Sequence, residues 1–181
     1  MNKLARYTGL AAIVLASAVN GNAGCPDWKS EKLKTKTDLQ RYVGKVSKFY
    51  NKDGKLSKIE KKCLADGYLQ ISNASEDLDE IAKYARLAIR LNPNLAGAYN
   101  NLGWHFDKSG DTERATELYN KAIDLDPEYT SARVNLGNIH LRGRDFTTAY
   151  RIFMEVLELD PEHKYAGKVA SKLKAKFPTI D

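Results

Sequence analysis

A proline recurs every 34 residues in the second half of this chain, at Pro93, Pro127 and Pro161. Each closes the same phrase: Leu91-Asn92-Pro93, Leu125-Asp126-Pro127, Leu159-Asp160-Pro161. A fixed period of that length marks a stack of helical repeats, in which no unit buries its apolar face alone. Proline sets the stops, because its ring clashes with the preceding turn and it has no amide proton to donate. Stacks of this kind build extended binding surfaces rather than enclosed reaction centres.

One period, residues 96–129, reads as two helices. The first carries Tyr99, Leu102, Gly103 and Phe106 at helical spacing, and the second Ala115, Leu118, Tyr119, Ala122, Ile123 and Leu125. Between them Gly110 can adopt a positive φ, and Asp111 can cap the following helix. Residues 130–163 repeat the order with Leu136, Gly137, Ala149, Phe153, Val156 and Pro161, and Asp145 repeats the cap. Small residues let helices approach closely, and the aromatic residues fill the space between. The pattern resembles the tetratricopeptide repeat. Two positions depart from it: Arg133 stands where Tyr99 stands one period earlier, and His140 where Phe106 stands.

A weaker unit covers residues 57–95. Its second helix holds Leu78, Ile81, Ala82, Ala85, Ala88, Ile89 and Leu91; its first, from about Ser57 to Ile71, echoes the Leu-Gly-aromatic spacing with Leu64, Ala65 and Tyr68. Ser57 to Glu60 has capping-box spacing. Residues 164–178 form a last helix with Tyr165, Ala166, Val169, Ala170 and Leu173 on one stripe and Lys168, Lys172 and Lys176 away from it, suited to closing a stack. The resemblance spans roughly residues 57–178. It implies an all-α fold: a short right-handed solenoid of antiparallel helix pairs, with a C-terminal capping helix.

Residues 1–23 read as a secretory signal peptide: Lys3 and Arg6, an apolar run from Gly9 to Val19, then small residues to Ala23. Export to a periplasm follows. Cys25 and Cys63 would then pair as a disulfide. A rival places a lipid anchor on Cys25, because Ala23-Gly24-Cys25 ends like a lipoprotein box, although Asn22 stands where that box wants an apolar residue. Two unpaired cysteines are the third reading.

Residues 24–56 form a basic helical segment begun by Thr37 and Asp38, with Leu39, Tyr42, Val43, Val46, Phe49 and Tyr50 on one face and a turn at residues 51–54. Net charge is +6 over residues 25–74, −5 over 75–161 and +3 over 162–181. A solvated lysine-rich helix accounts for the basic segment; the sharper reading is contact with an anionic membrane surface or an acidic protein face. No groove of interleaved arginine and aromatic residues suggests nucleic acid.

Catalytic and metal motifs are missing from the sequence. Residues 49–60 faintly resemble a calcium loop, but Phe49 stands where the first carboxylate belongs. His105, His140 and His163 have no partner at metal spacing. No nucleophile, base or cofactor site is nominated, so the expectation is a non-enzyme without cofactors. The resemblance implies that the first helix of each pair lines the concave face. That would put Asn100, Trp104, Asp107 and Lys108 in the groove from one unit, and Ser131, Val134, Asn138, Leu141 and Arg142 from the next. Trp104 is the candidate anchor, with packing against a neighbouring helix as its alternative role. Asn101 and Asn135 belong to the repeat's own pattern and read as structural. The carboxylate clamp of some repeat proteins needs Lys at Asn100 and Asn at Trp104, and neither is present. The function expected is an exported adaptor for a protein or peptide, within an envelope assembly. Self-association into a homo-oligomer is the alternative.

Overall fold

A computed structural model describes residues 36–50, 56 and 58–180. Residues 1–23, read above as a signal peptide, Cys25, and residues 51–55 and 57, which hold the expected turn and half of the calcium-like loop, lie outside the described residues. Among the described residues all regular structure is helical. The chain divides into two compact units, residues 1–93 and 94–181. No helix among the described residues is long and apolar enough to cross a membrane.

The first unit contains α1 (Lys36–Tyr50), α2 (Lys58–Asn73) and α3 (Leu78–Leu91). Its core gathers Val43, Leu64 and Ile71, with Tyr68, Tyr84 and Leu91 packed around them. The basic helix α1 is therefore part of the unit. Val43 is 2% exposed, Lys36 pairs with Glu80, and the Gln40 Nε2 donates to the Tyr84 hydroxyl at 3.1 Å. The remaining side chains expected on the α1 face, Leu39, Tyr42, Val46, Phe49 and Tyr50, lie outside the described residues. The longer join between α2 and α3 is held from within. The buried Ser72 hydroxyl donates to the Ile81 carbonyl at 3.0 Å, Ser75 donates to Ile71 at 2.9 Å, and Asp77 caps α3 at the Glu80 amide.

The second unit contains α4 (Ala96–Lys108), α5 (Thr112–Leu125), α6 (Thr130–Arg142), α7 (Phe146–Leu159) and α8 (Lys164–Lys176). The two turns inside the helix pairs are the same structure. The Asp111 amide reaches back to the Phe106 carbonyl and the Asp145 amide to that of His140, each at 2.9 Å. Asp111 and Asp145 then cap α5 and α7 by accepting from the amides of Arg114 and Thr148. The left-handed position is Gly110 in the first turn, at φ +87°, and Arg144 in the second, at φ +61°. The neighbouring Gly143 is helical at φ −73°, so the second turn carries its glycine one residue early and bears a side-chain penalty of about 1–2 kcal/mol at Arg144.

Two apolar clusters fill this unit. In one, Tyr119 and Ala122 of α5 meet Ala132 and Leu136 of α6 and Ile152 of α7. In the other, Phe153 and Val156 of α7 meet Ala166, Ala170 and Leu173 of α8. Glycine makes the close crossings. A β-carbon on Gly103 would lie 2.8 Å from the Tyr119 Cε1, and one on Gly137 would lie 3.0 Å from the Phe153 Cζ. Tyr119 and Phe153 are both fully buried, so neither ring has room to withdraw. Gly103→Leu is expected to destabilise the fold by overpacking, about 1–3 kcal/mol, against a helix-propensity gain of at most about 1 kcal/mol. Urea denaturation of both proteins checks this; a variant at least as stable as wild type would refute the close crossing.

Candidate functional site

The first helices α4, α6 and α8 present one wall of the second unit, and polar contacts spaced by 35 residues tie α4 to α6. The Asn135 Nδ2 donates to the Asn100 Oδ1 at 2.9 Å, and Arg142 donates to and ion-pairs with Asp107. The separation is one period plus one residue, as expected if neighbouring first helices lie side by side with a small stagger. Asn100 also donates weakly to Asn101, at 3.4 Å, and is only 8% exposed.

These contacts revise the roles expected for several wall residues. Asn100 is occupied within the stack and does not stand open to a groove. The Asp107 side chain is 8% exposed and neutralised by Arg142, whose own side chain remains 53% exposed. Val134 and Leu141 are half-buried and pack onto the cluster around Phe153. Ser131 and Lys108 are exposed, and Asn138 is half-buried. Trp104 is half-buried too. It lies one turn beyond Asn100, outside the packed apolar clusters, with the Lys108 ammonium 5.8 Å from its ring centroid.

The structure adds Tyr165 to the wall. The sequence places it on the apolar stripe of α8, yet it is 44% exposed. Its hydroxyl donates to the Asn138 Oδ1 at 2.6 Å, and its ring meets the edge of Phe153 at 5.9 Å. The signal was available, since Tyr165 stands 34 residues after Ser131, already a wall position.

The two departures from the repeat pattern are also accounted for. Arg133 lies with its side chain 13% exposed and donates to the Pro127 carbonyl at 2.5 Å, with Glu155 3.6 Å from its Nε. The His140 Nδ1 lies 3.0 Å from the Asp145 carboxylate. That carboxyl is held below its usual range, chiefly by its bonds to Thr148 and further by His140. Cys63 is buried in α2, while Cys25 lies outside the described residues. Among the described residues no group of three or more His, Cys, Asp or Glu side chains is placed to hold a metal ion.

Residues 96–129 and 130–163 each match the tetratricopeptide repeat family, so the chain carries two such repeats. No curated protein matches the chain by sequence. Among solved structures, the TPR domain of Arabidopsis OM64 superposes with a TM-score of 0.58 at 20% identity, covering 64% of this chain and 98% of that one. A crystal structure of MamA protein superposes with a TM-score of 0.59 at 16% identity, covering 92% of this chain and 83% of that one. At such identities these likenesses establish the all-α tetratricopeptide fold.

Behind the wall lies a buried phenol. Tyr119 is fully enclosed and its hydroxyl has no hydrogen-bond partner among the described residues. Burial, and then the Asp107 carboxylate, push its ionisation well above the ordinary range, while Arg142 pulls the other way. The unfolded phenol ionises near pH 10, so the folded state keeps a proton that the unfolded state has lost. Stability from this group is complete below about pH 10 and falls as pH rises further. Tyr119→Phe should therefore be neutral or stabilising at pH 7, because it removes an unsatisfied group. It should also lose stability less steeply than wild type above about pH 10. Parallel urea titrations at pH 7 and pH 11 check both points, and an equal alkaline loss in the two proteins would contradict the assignment.

Proposed function

We propose that this chain is an exported, non-catalytic adaptor that holds a protein or peptide partner along the wall of α4, α6 and α8, within an envelope assembly. The observation that carries the reading is Trp104. Its neighbours Asn100 and Asp107 are engaged in bracing the stack, while the half-buried indole lies outside the packed clusters and keeps part of its surface open. A large apolar ring on a rigid, braced surface desolvates much area at little conformational cost. Trp104→Ala should leave helical content unchanged and weaken capture of the partner crosslinked in its native setting. The expected loss is about 2 kcal/mol or more, roughly thirtyfold in affinity. Capture equal to wild type would remove this wall as the binding surface and move attention to the basic segment of α1.

Export is supported by the basic start, the short apolar run and the small residues before Cys25. In an oxidising compartment Cys25 and the buried Cys63 would close a loop of about 38 residues, stabilising the first unit by roughly 3–4 kcal/mol on the chain-entropy model. Intact-mass measurement of the mature protein should give a start near Gly24 and a mass two hydrogens below the reduced form. A diacylglycerol adduct on Cys25 would establish the lipoprotein alternative instead.

A further inference from the structure

The wall carries a charge bias that names the chemistry of its ligand. Adding one period to Ser131, Val134 and Asn138 gives Tyr165, Lys168 and Lys172 on α8. The bond from the Tyr165 hydroxyl to Asn138 is independent geometric support that this side of α8 continues the α6 surface. Helix α8 holds five lysines and no carboxylate. Two of the lysines point elsewhere: the Lys174 ammonium donates to the Ile180 carbonyl at 2.6 Å, and that of Lys176 lies 5.6 Å from the Phe146 ring and 5.3 Å from the Phe177 ring. Lys168 and Lys172 are exposed, and neither ion-pairs with a carboxylate among the described residues. Lys108 is exposed beside Trp104. The wall's acid, Asp107, is already matched by Arg142.

We infer that this wall takes an extended, acidic segment of a protein partner, seated between Trp104 and the Lys168–Lys172 pair; the inference rests on the adaptor reading above. The spacing supports an extended ligand. Lys168 and Lys172 are one turn apart, about 6 Å along the helix. Alternate side chains of an extended chain are about 6.6 Å apart on one face, so two acids separated by one residue can meet both lysines. Asn138 has its Oδ1 taken by Tyr165, which leaves its Nδ2 free to donate to a ligand backbone carbonyl. An aromatic or aliphatic ligand residue then covers Trp104.

The test uses the full chain and two sets of ten-residue peptides. One set carries Asp-Ala-Asp and a single Phe at varied separations, and the other replaces both acids with Asn. At about 50 mM salt the acidic set should bind at least about tenfold tighter, and the gap should shrink by about 300 mM salt as the charges are screened. Lys168→Gln with Lys172→Gln should abolish the preference while leaving the circular dichroism spectrum unchanged. Trp104→Ala should weaken both sets. Three results would overturn the acidic ligand: no acidic preference, a preference that survives loss of both lysines, or lysine-dependent binding to phosphatidylglycerol vesicles with none to peptides. If the Asn set still binds through Trp104 without acidic preference, only the ligand chemistry fails. Binding of both sets that ignores Trp104 would sink the adaptor reading as well.

Discussion

The Tyr119 ring occupies the space that a β-carbon on Gly103 would need. Most of the second unit follows from that contact. It fixes how closely α4 and α5 cross, and the Phe153 ring against Gly137 fixes the next pair in the same way. Each ring is fully buried, a gain of roughly 1.5–3 kcal/mol for a large apolar side chain, and each is usable only because the facing helix has no side chain at one position. Repeating the crossing at a constant period places the first helices side by side. The bonds between Asn100 and Asn135 and between Asp107 and Arg142, each spanning 35 residues, are consequences of that spacing.

The first unit meets the same steric demand with different residues. The counterparts of Gly103 and Tyr119 are Ala65 and Ala85, both fully buried. Two methyl groups there stand in place of an absent side chain and a large ring. That exchange leaves less aromatic volume, and the core is completed by other means: Val43 from α1, a stacked Tyr68–Tyr84 pair with centroids 6.1 Å apart, and the buried Ser72 and Ser75 hydroxyls bonded to backbone carbonyls. The basic helix α1 thus has a packing role whatever its lysines contact outside.

Much of the fold was legible in the sequence because its determinants are local and periodic. Proline stops, aspartate caps and the Leu-Gly pairs are read within a few residues, and the helices of the second unit fall between them as expected. Arg144 was not legible as the left-handed residue, because Gly143 offers a more obvious candidate and only the shared turn geometry assigns the strain. The wall was read less completely. Period arithmetic identifies which helix face a residue occupies, but not whether its polar atoms are already spoken for. Asn100 and Asp107 fall on the groove face by that arithmetic, and only the structure shows that their polar atoms brace the stack. Tyr165 was missed for the opposite reason: its size and hydrophobicity suggested core, whereas its hydroxyl reaches Asn138 on the exposed side.

The decisive question is which surface of the second unit meets the partner. A photo-crosslinking amino acid placed at Ser131 samples the wall, and the same group at Glu117 samples the exposed side of α5; both positions are exposed, so neither substitution disturbs the core. With the full chain expressed in its native host, a discrete crosslinked species is expected from position 131 and none from position 117. Crosslinking from position 117 alone would contradict binding at the wall.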